Sequence, residues 1–130
     1  MPYSRVQQAE NLANIRSKTL EIALYSTNPG PSDTGTEISG GAYARQSIAF
    51  TAPQSTSDGT YITNSTLISF PQASGNWSAA AAYYAVRDAV GGDMINYGPL
   101  QELGVNTTRT VNTGDTFRIA ANTLIIKEKD

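Results

Sequence analysis

The sequence predicts an all-β protein: a single-domain antiparallel β-sandwich, jelly-roll-like, with a short N-terminal helical arm. Three observations carry this reading. Only 15% of the 130 residues are charged while Thr, Ser, Asn, Gly and Ala are plentiful, a composition of short strands and hydroxyl-rich turns instead of salt-bridged helices. About eight or nine segments alternate apolar and polar residues at steps of roughly 8–15 positions, each closed by Gly, Pro, Asn or Asp. No alternation of strand and helix of the βαβ kind is visible. The length suits one compact body and not two, so residues 1–18 are assigned to the arm and 19–130 to the sandwich.

The elements follow in order. Ser4-Arg5-Val6-Gln7 has the spacing of a helix-capping box, and Val6, Ala9, Leu12, Ala13 and Ile15 recur at three- and four-residue steps, which predicts a helix over 4–16. Gln7, Gln8, Glu10, Asn11 and Asn14 leave its apolar stripe narrow, so the arm is expected to lie on something. "TLEIALYS" alternates cleanly, with Leu20, Ile22 and Leu24 on one face of a half-buried strand. "TNPGPSDTGTE" follows as a long surface loop without an apolar anchor.

After Gly40-Gly41 a strand is predicted over 42–50, with Ala42, Ala44, Gln46, Ile48 and Phe50 on one face. Asp58-Gly59 marks a turn between strands, "TYIT" and "TLISF" are short strands, and Pro71 with Ser74-Gly75-Asn76 closes that unit. "WSAAAAYYAVRD" is read as one strand placing Trp77, Ala79, Ala81, Tyr83 and Ala85 together. "DMINYGPL" is the next strand, and two more flank Asn112-Thr113-Gly114-Asp115. "TLIIKE" ends the series, with Leu124 and Ile126 opposed to Ile125 and Lys127.

Composition excludes much chemistry. With no histidine and no cysteine, the commonest general base, thiol catalysis, disulfides and nearly every zinc site are removed. The nine basic residues are scattered singly and the net charge is −2, which gives no footprint for nucleic acid. No apolar run is long enough to cross a bilayer and the first residues lack the apolar core of a secretion signal, so neither nucleic acid nor membrane is expected as a partner and synthesis is expected in the cytoplasm. The chain begins at Met1 without a linker or catalytic partner, so no appended enzyme is expected.

"ALYSTNPG", "GTEISGGAYARQSIAF", "NSTLISFPQASGNW", "GGDMINYGPL" and "TVNTGDTFRIAANTLII" occur in this order in a family that the chain resembles from about Leu20 to about Ile126: small structural proteins of tailed bacteriophages, often labelled tail-fibre or minor tail proteins. The resemblance implies a β-sandwich virion module, made in the host bacterial cytoplasm, with no catalytic residues to carry over. The chain departs from the family in its alanine run 79–82 and in a less apolar N-terminal segment.

Candidate sites are weighed on that footing. Asp58, Asp88, Asp93 and Asp115 each lie at a turn, where a carboxylate accepting backbone N–H bonds explains them better than paired-acid catalysis or a calcium loop between Asp88 and Asp93. Trp77, Tyr83, Tyr84, Tyr97, Tyr43 and Tyr61 are read chiefly as packing anchors, with a sugar platform as the alternative. Asn64-Ser65-Thr66, Asn76-Trp77-Ser78 and Asn106-Thr107-Thr108 match the glycosylation triplet but are read as turn and strand residues. No catalytic residue, cofactor or metal ligand is expected.

The expected interface comprises Val6, Leu12 and Ile15 of the arm, the Gly40-Gly41 joint, and Tyr43, Arg45 and Arg87, the arginines finding partners in a neighbouring chain. The function expected is that of a non-enzymatic virion structural protein, chiefly a capsid decoration or cement protein. Its partners would be copies of itself, as a homo-oligomer, and the major capsid protein or another virion protein. A tail-tip or tail-fibre module contacting the host surface and a carbohydrate-binding module are the alternatives.

Overall fold

Ser4 starts the first element as the spacing predicts: its hydroxyl accepts from the Gln7 amide at 3.2 Å and opens helix α1 (Arg5–Arg16). The structure, a computed structural model, describes residues 4–102 and 105–129. Residues 1–3 of the predicted arm lie outside the described residues.

The helix does not present the stripe that periodicity suggests. Val6 stands 71% exposed, whereas Gln8 and Leu12 are fully buried and Ile15 packs partly against the core. Positions 8, 12 and 15 form the inward line, and the polar Gln8 is tolerated there because Thr60 Oγ1 donates to its Oε1 at 2.8 Å. The arm thus lies on its own domain. Arg16 Nε donates to the Phe50 carbonyl at 3.1 Å and anchors the far end. Leu12→Ala is expected to destabilise the isolated protein by about 2–4 kcal/mol; an unchanged urea midpoint would mean that the arm docks elsewhere in solution.

Eleven strands follow among the described residues: β1 (Leu20–Tyr25), β2 (Gln46–Ile48), β3 (Gln54–Thr56), β4 (Gly59–Thr63), β5 (Ile68–Ser69), β6 (Tyr83–Asp88), β7 (Met94–Pro99), β8 (Gln101–Glu102), β9 (Val105–Asn106), β10 (Arg118–Ile119) and β11 (Ile125–Lys129). All their pairings are antiparallel. The all-β expectation with one short helix is met. The strands are divided into a four-stranded sheet β2-β1-β6-β7, a three-stranded sheet β11-β4-β3, and the two pairs β10-β5 and β8-β9.

One apolar cluster joins the four-stranded sheet, the three-stranded sheet and the β10-β5 pair. Leu20, Ile22 and Leu24 of β1 and Val86 of β6 meet Ile62 of β4, Ile68, Ile119 and Ile126 there, with α1 contributing Leu12. At one end Tyr43, Phe70, Trp77 and Phe117 interlock, with edge-to-face contacts at centroid distances of 5.3 Å for Tyr43–Trp77 and 5.5 Å for Phe70–Phe117. Such pairs add to area burial by about 0.5–1.5 kcal/mol each. Trp77 therefore belongs to the interior, and Tyr43 is half-buried with its ring packed against Trp77 and Phe70, so neither presents a free sugar platform.

Three expectations need correction. The strand over 42–50 shrinks to Gln46–Ile48 because Gly40, Gly41 and Ala42 all take positive φ and turn the chain, closed by a Tyr43 N–H bond to the Gly40 carbonyl. The strand over 77–88 begins only at Tyr83, since the chain bends at Ser78 and Ala79. That bend shifts the alternation: Trp77, Ala81, Tyr84 and Val86 face the main core while Tyr83 and Ala85 face the other side.

The third correction concerns β1 and the loop after it, which alternation makes half-buried strand and free surface loop. Ile22 faces the main core, yet Ala23 (fully buried) and Tyr25 (3% exposed), on the opposite face, are covered as well. The loop over 26–37 folds back to the strand, with the Ser26 amide bonded to the Thr36 carbonyl and the Ile38 amide to the Leu24 carbonyl, both at 2.9 Å. Pro29 is fully buried inside this loop, and a Cβ on Gly35 would sit 2.8 Å from the Pro29 Cα and the Thr27 carbonyl, so the loop is packed against itself. β1 is consequently covered on both faces.

Candidate binding face

The residues that hold this loop are those the sequence assigns to an interface. Arg87 of β6 uses every guanidinium N–H inside the chain. Its Nη1 and Nη2 donate to Asp33 Oδ1 and Oδ2 at 2.8 and 2.7 Å, Nη1 also donates to the Tyr25 hydroxyl at 2.8 Å, and Nε and Nη2 donate to the Gly92 carbonyl at 3.0 and 2.7 Å. Arg45 forms a second fork, to Glu37 Oε2 and Oε1 at 2.9 and 2.8 Å. The Tyr43 hydroxyl donates to Glu37 at 2.8 Å while accepting from the Leu24 amide at 2.9 Å. Arg45 and Arg87 therefore find their partners within the chain, where the sequence reading places them across a contact.

The electrostatics follow from these bonds. Hydrogen bonds from Arg87, and then its charge, hold the Asp33 carboxyl below its ordinary value of 3.8. Burial alone would raise Glu37, but the bonds from Arg45 and Tyr43 outweigh it and leave the carboxyl below its ordinary 4.5. Burial pushes the Tyr43 hydroxyl well up. Because both carboxyls are depressed on folding, their contribution is complete above the ordinary carboxylate range and is lost as pH falls through the folded values. Urea midpoints are expected to stay level down to about pH 5 and to fall below about pH 4, with a shallower acid decline in Arg87→Met; an identical decline in that variant would remove the strap from the account.

The other candidates are dispersed. Val6 is exposed, Leu12 and Ile15 lie beneath α1, and Gly41 sits against Gly75 and Trp77. Asp88 caps its turn by accepting from the Val90 amide at 2.9 Å, and Asp115 accepts from the Asn112 amide at 3.0 Å. Asp58 accepts from Thr56 Oγ1 and Lys127 Nζ.

A recess that the sequence reading did not assemble lies on the outer face of the β11-β4-β3 sheet. The inward residues of these strands, Thr60, Ile62 and Ile126, are buried, and alternation turns Tyr61, Thr63, Ile125 and Lys127 outward. Register places Tyr61 directly between Gln54 of β3 and Lys127 of β11, with Thr63 beside Ile125. With Thr56 and Asn122 these side chains bound a volume of about 560 Å³.

The lining is tied together before anything enters. The Tyr61 hydroxyl donates to Gln54 Oε1 at 3.1 Å, Thr63 Oγ1 donates to Asn122 Oδ1 at 3.0 Å, and Lys127 Nζ reaches Asp58 Oδ1 at 2.7 Å. Asn122 takes φ 63°, and the turn carrying it is fixed from beneath by Asn64. The fully buried Asn64 accepts from the Thr123 and Leu124 amides at 3.0 and 2.9 Å and donates to the Ala120 and Thr66 carbonyls at 2.9 and 3.1 Å. The sequence does display the outward sets Tyr61/Thr63 and Ile125/Lys127, but not the pairing that joins them.

A second groove, of about 650 Å³, runs past Tyr84, Leu100, Phe117, Ile119 and Leu124, with Arg118 on its rim. No helix among the described residues is long and apolar enough to cross a membrane.

No curated protein matches the chain. The family described as Podophage GP4 fiber I protein gp80 matches residues 8–127, from within α1 into β11. A match that takes in both the helix and every sheet shows that the chain belongs to this family of phage fibre proteins and is a virion-associated structural protein.

Proposed function

We propose that the chain is a non-enzymatic structural module of a tail fibre, assembled with further copies of itself and joined to another virion protein, with neither nucleic acid nor membrane as partner. The observation that carries this reading is the family match across residues 8–127 to a protein described as a fibre. The geometry supports it: the long loop is strapped down by Arg87 and Arg45, and the aspartates cap turns or pair with cations, as befits a rigid building block.

Capsid decoration draws on the idea that the helical arm lies on another protein. Gln8 and Leu12 are buried against this chain's own sheet, so the arm lends that idea no support. Gold-labelled antibody on intact particles tests the placement. Label on the tail is expected, and label confined to the head would overturn it.

A further inference from the structure

Resting on the fibre placement above, we propose that the recess on the outer face of β3, β4 and β11 binds a neutral pyranose unit of a cell-surface polysaccharide. A sugar ring offers an apolar C–H face and a rim of hydroxyls, and it is held where an aromatic or aliphatic surface is ringed by amides and hydroxyls. Tyr61 and the half-exposed Ile125 supply the surface. Gln54, Asn122 and Thr56 supply the ring of polar groups, while the buried Thr63 steadies Asn122 through its hydroxyl.

The remaining hydrogen-bonding capacity suits hydroxyls. Gln54 and Asn122 engage their carbonyl oxygens with the lining, which leaves both amide NH₂ groups as donors. Asp58, which is not itself a lining residue, receives Thr56 and Lys127 on Oδ1. The same pairing neutralises the Lys127 ammonium at 2.7 Å, so the recess offers no unbalanced charge to a carboxylate or phosphate. This favours a neutral sugar over an acidic one.

The size and rigidity fit as well. A volume of about 560 Å³ lies within the range of small-molecule sites and suits one or two sugar rings. The Tyr61–Gln54 and Thr63–Asn122 bonds hold four lining side chains in place, which lowers the ordering cost that weakens binding at mobile surfaces. Trp77 cannot serve because it is buried, and the half-buried Tyr43 has its ring against Trp77 and Phe70.

The test titrates the ¹⁵N-labelled full chain with methyl glucoside, galactoside, mannoside and rhamnoside, and with glucuronate as the acidic probe, following amide shifts. At least one neutral glycoside is expected to give saturable shifts at Gln54, Tyr61, Thr63, Asn122 and Lys127. Tyr61→Ala should weaken binding about tenfold or more, the loss of one stacking contact. Tyr61→Phe should largely retain it, and Tyr97→Ala on β7 should leave it unchanged. Gln54→Ala, at an exposed edge position, provides a second weakening variant that does not threaten the fold.

No saturable shift with any neutral glycoside, shifts centred elsewhere, response to glucuronate alone, or full binding by folded Tyr61→Ala would each overturn the proposal. Particle labelling separates this from the fibre placement. Tail label without sugar binding refutes the recess alone, and head label with sugar binding refutes the placement alone.

Discussion

Asn64→Leu is expected to destabilise the protein by about 3–5 kcal/mol, because it strips partners from four backbone groups at once. Asn64 is fully buried just past the end of β4, and its amide serves the Thr66 and Ala120 carbonyls while its oxygen serves the Thr123 and Leu124 amides. Leucine conserves the approximate volume but supplies neither donor nor acceptor. Each buried group left without a partner costs about 1–3 kcal/mol, reduced where the turn can open to water. Opening the turn moves Asn122, so the same variant should also lose sugar binding at the recess. Asn64→Asp keeps the acceptor but sets a buried carboxylate against the Thr66 and Ala120 carbonyls, and should lose at least as much at neutral pH. Urea denaturation checks the order; a loss under about 1 kcal/mol for Asn64→Leu would show that the four bonds are not jointly stabilising.

The same residue marks the limit of what the chain discloses as text. Ser4 and Gln7 announce a helix start, and Leu20, Ile22 and Leu24 announce β1, because capping and alternation are local and leave local signatures. Asn64 stands in a glycosylation-like triplet, yet its role depends on Ala120, Thr123 and Leu124, far along the chain. The strap is equally non-local: Arg87 meets Asp33 across 54 positions and thereby turns a loop that reads as free into a cover for Ala23, Tyr25 and Ala85.

The recess shows the intermediate case. Its outward residues can be read from the alternation of each strand, but a row running Gln54, Tyr61, Lys127 exists only once register is fixed. Gln8 is a different failure. An amide among apolar helix positions reads as solvent-facing, and only the Thr60 hydroxyl opposite offsets the cost of burying it. Sequence pattern thus reports on which residues share a face, and much less on what that face meets.

Gly41→Ala is expected to cost about 4 kcal/mol or more, and its comparison with Gly40→Ala separates two meanings of a glycine pair. Both residues have positive φ, 80° at Gly40 and 55° at Gly41, so an alanine at either bears the left-handed penalty of about 1–2 kcal/mol. Their surroundings differ. A Cβ on Gly40 would meet nothing nearer than the Asn76 carbonyl at 3.6 Å, an ordinary contact. On Gly41 it would collide with the Gly75 carbonyl oxygen and stand 2.9 Å from Trp77 Cδ1, so backbone must move and the Tyr43–Trp77–Phe70 packing with it. The Ser74 amide, which donates to the Gly41 carbonyl at 3.2 Å, is part of the same seam. The pair is therefore a close-packed junction and not a hinge on which the preceding loop swings. Equal losses for the two variants in urea denaturation would mean that backbone conformation alone selects glycine here, and that the 41–75 approach is looser in solution than the structure has it.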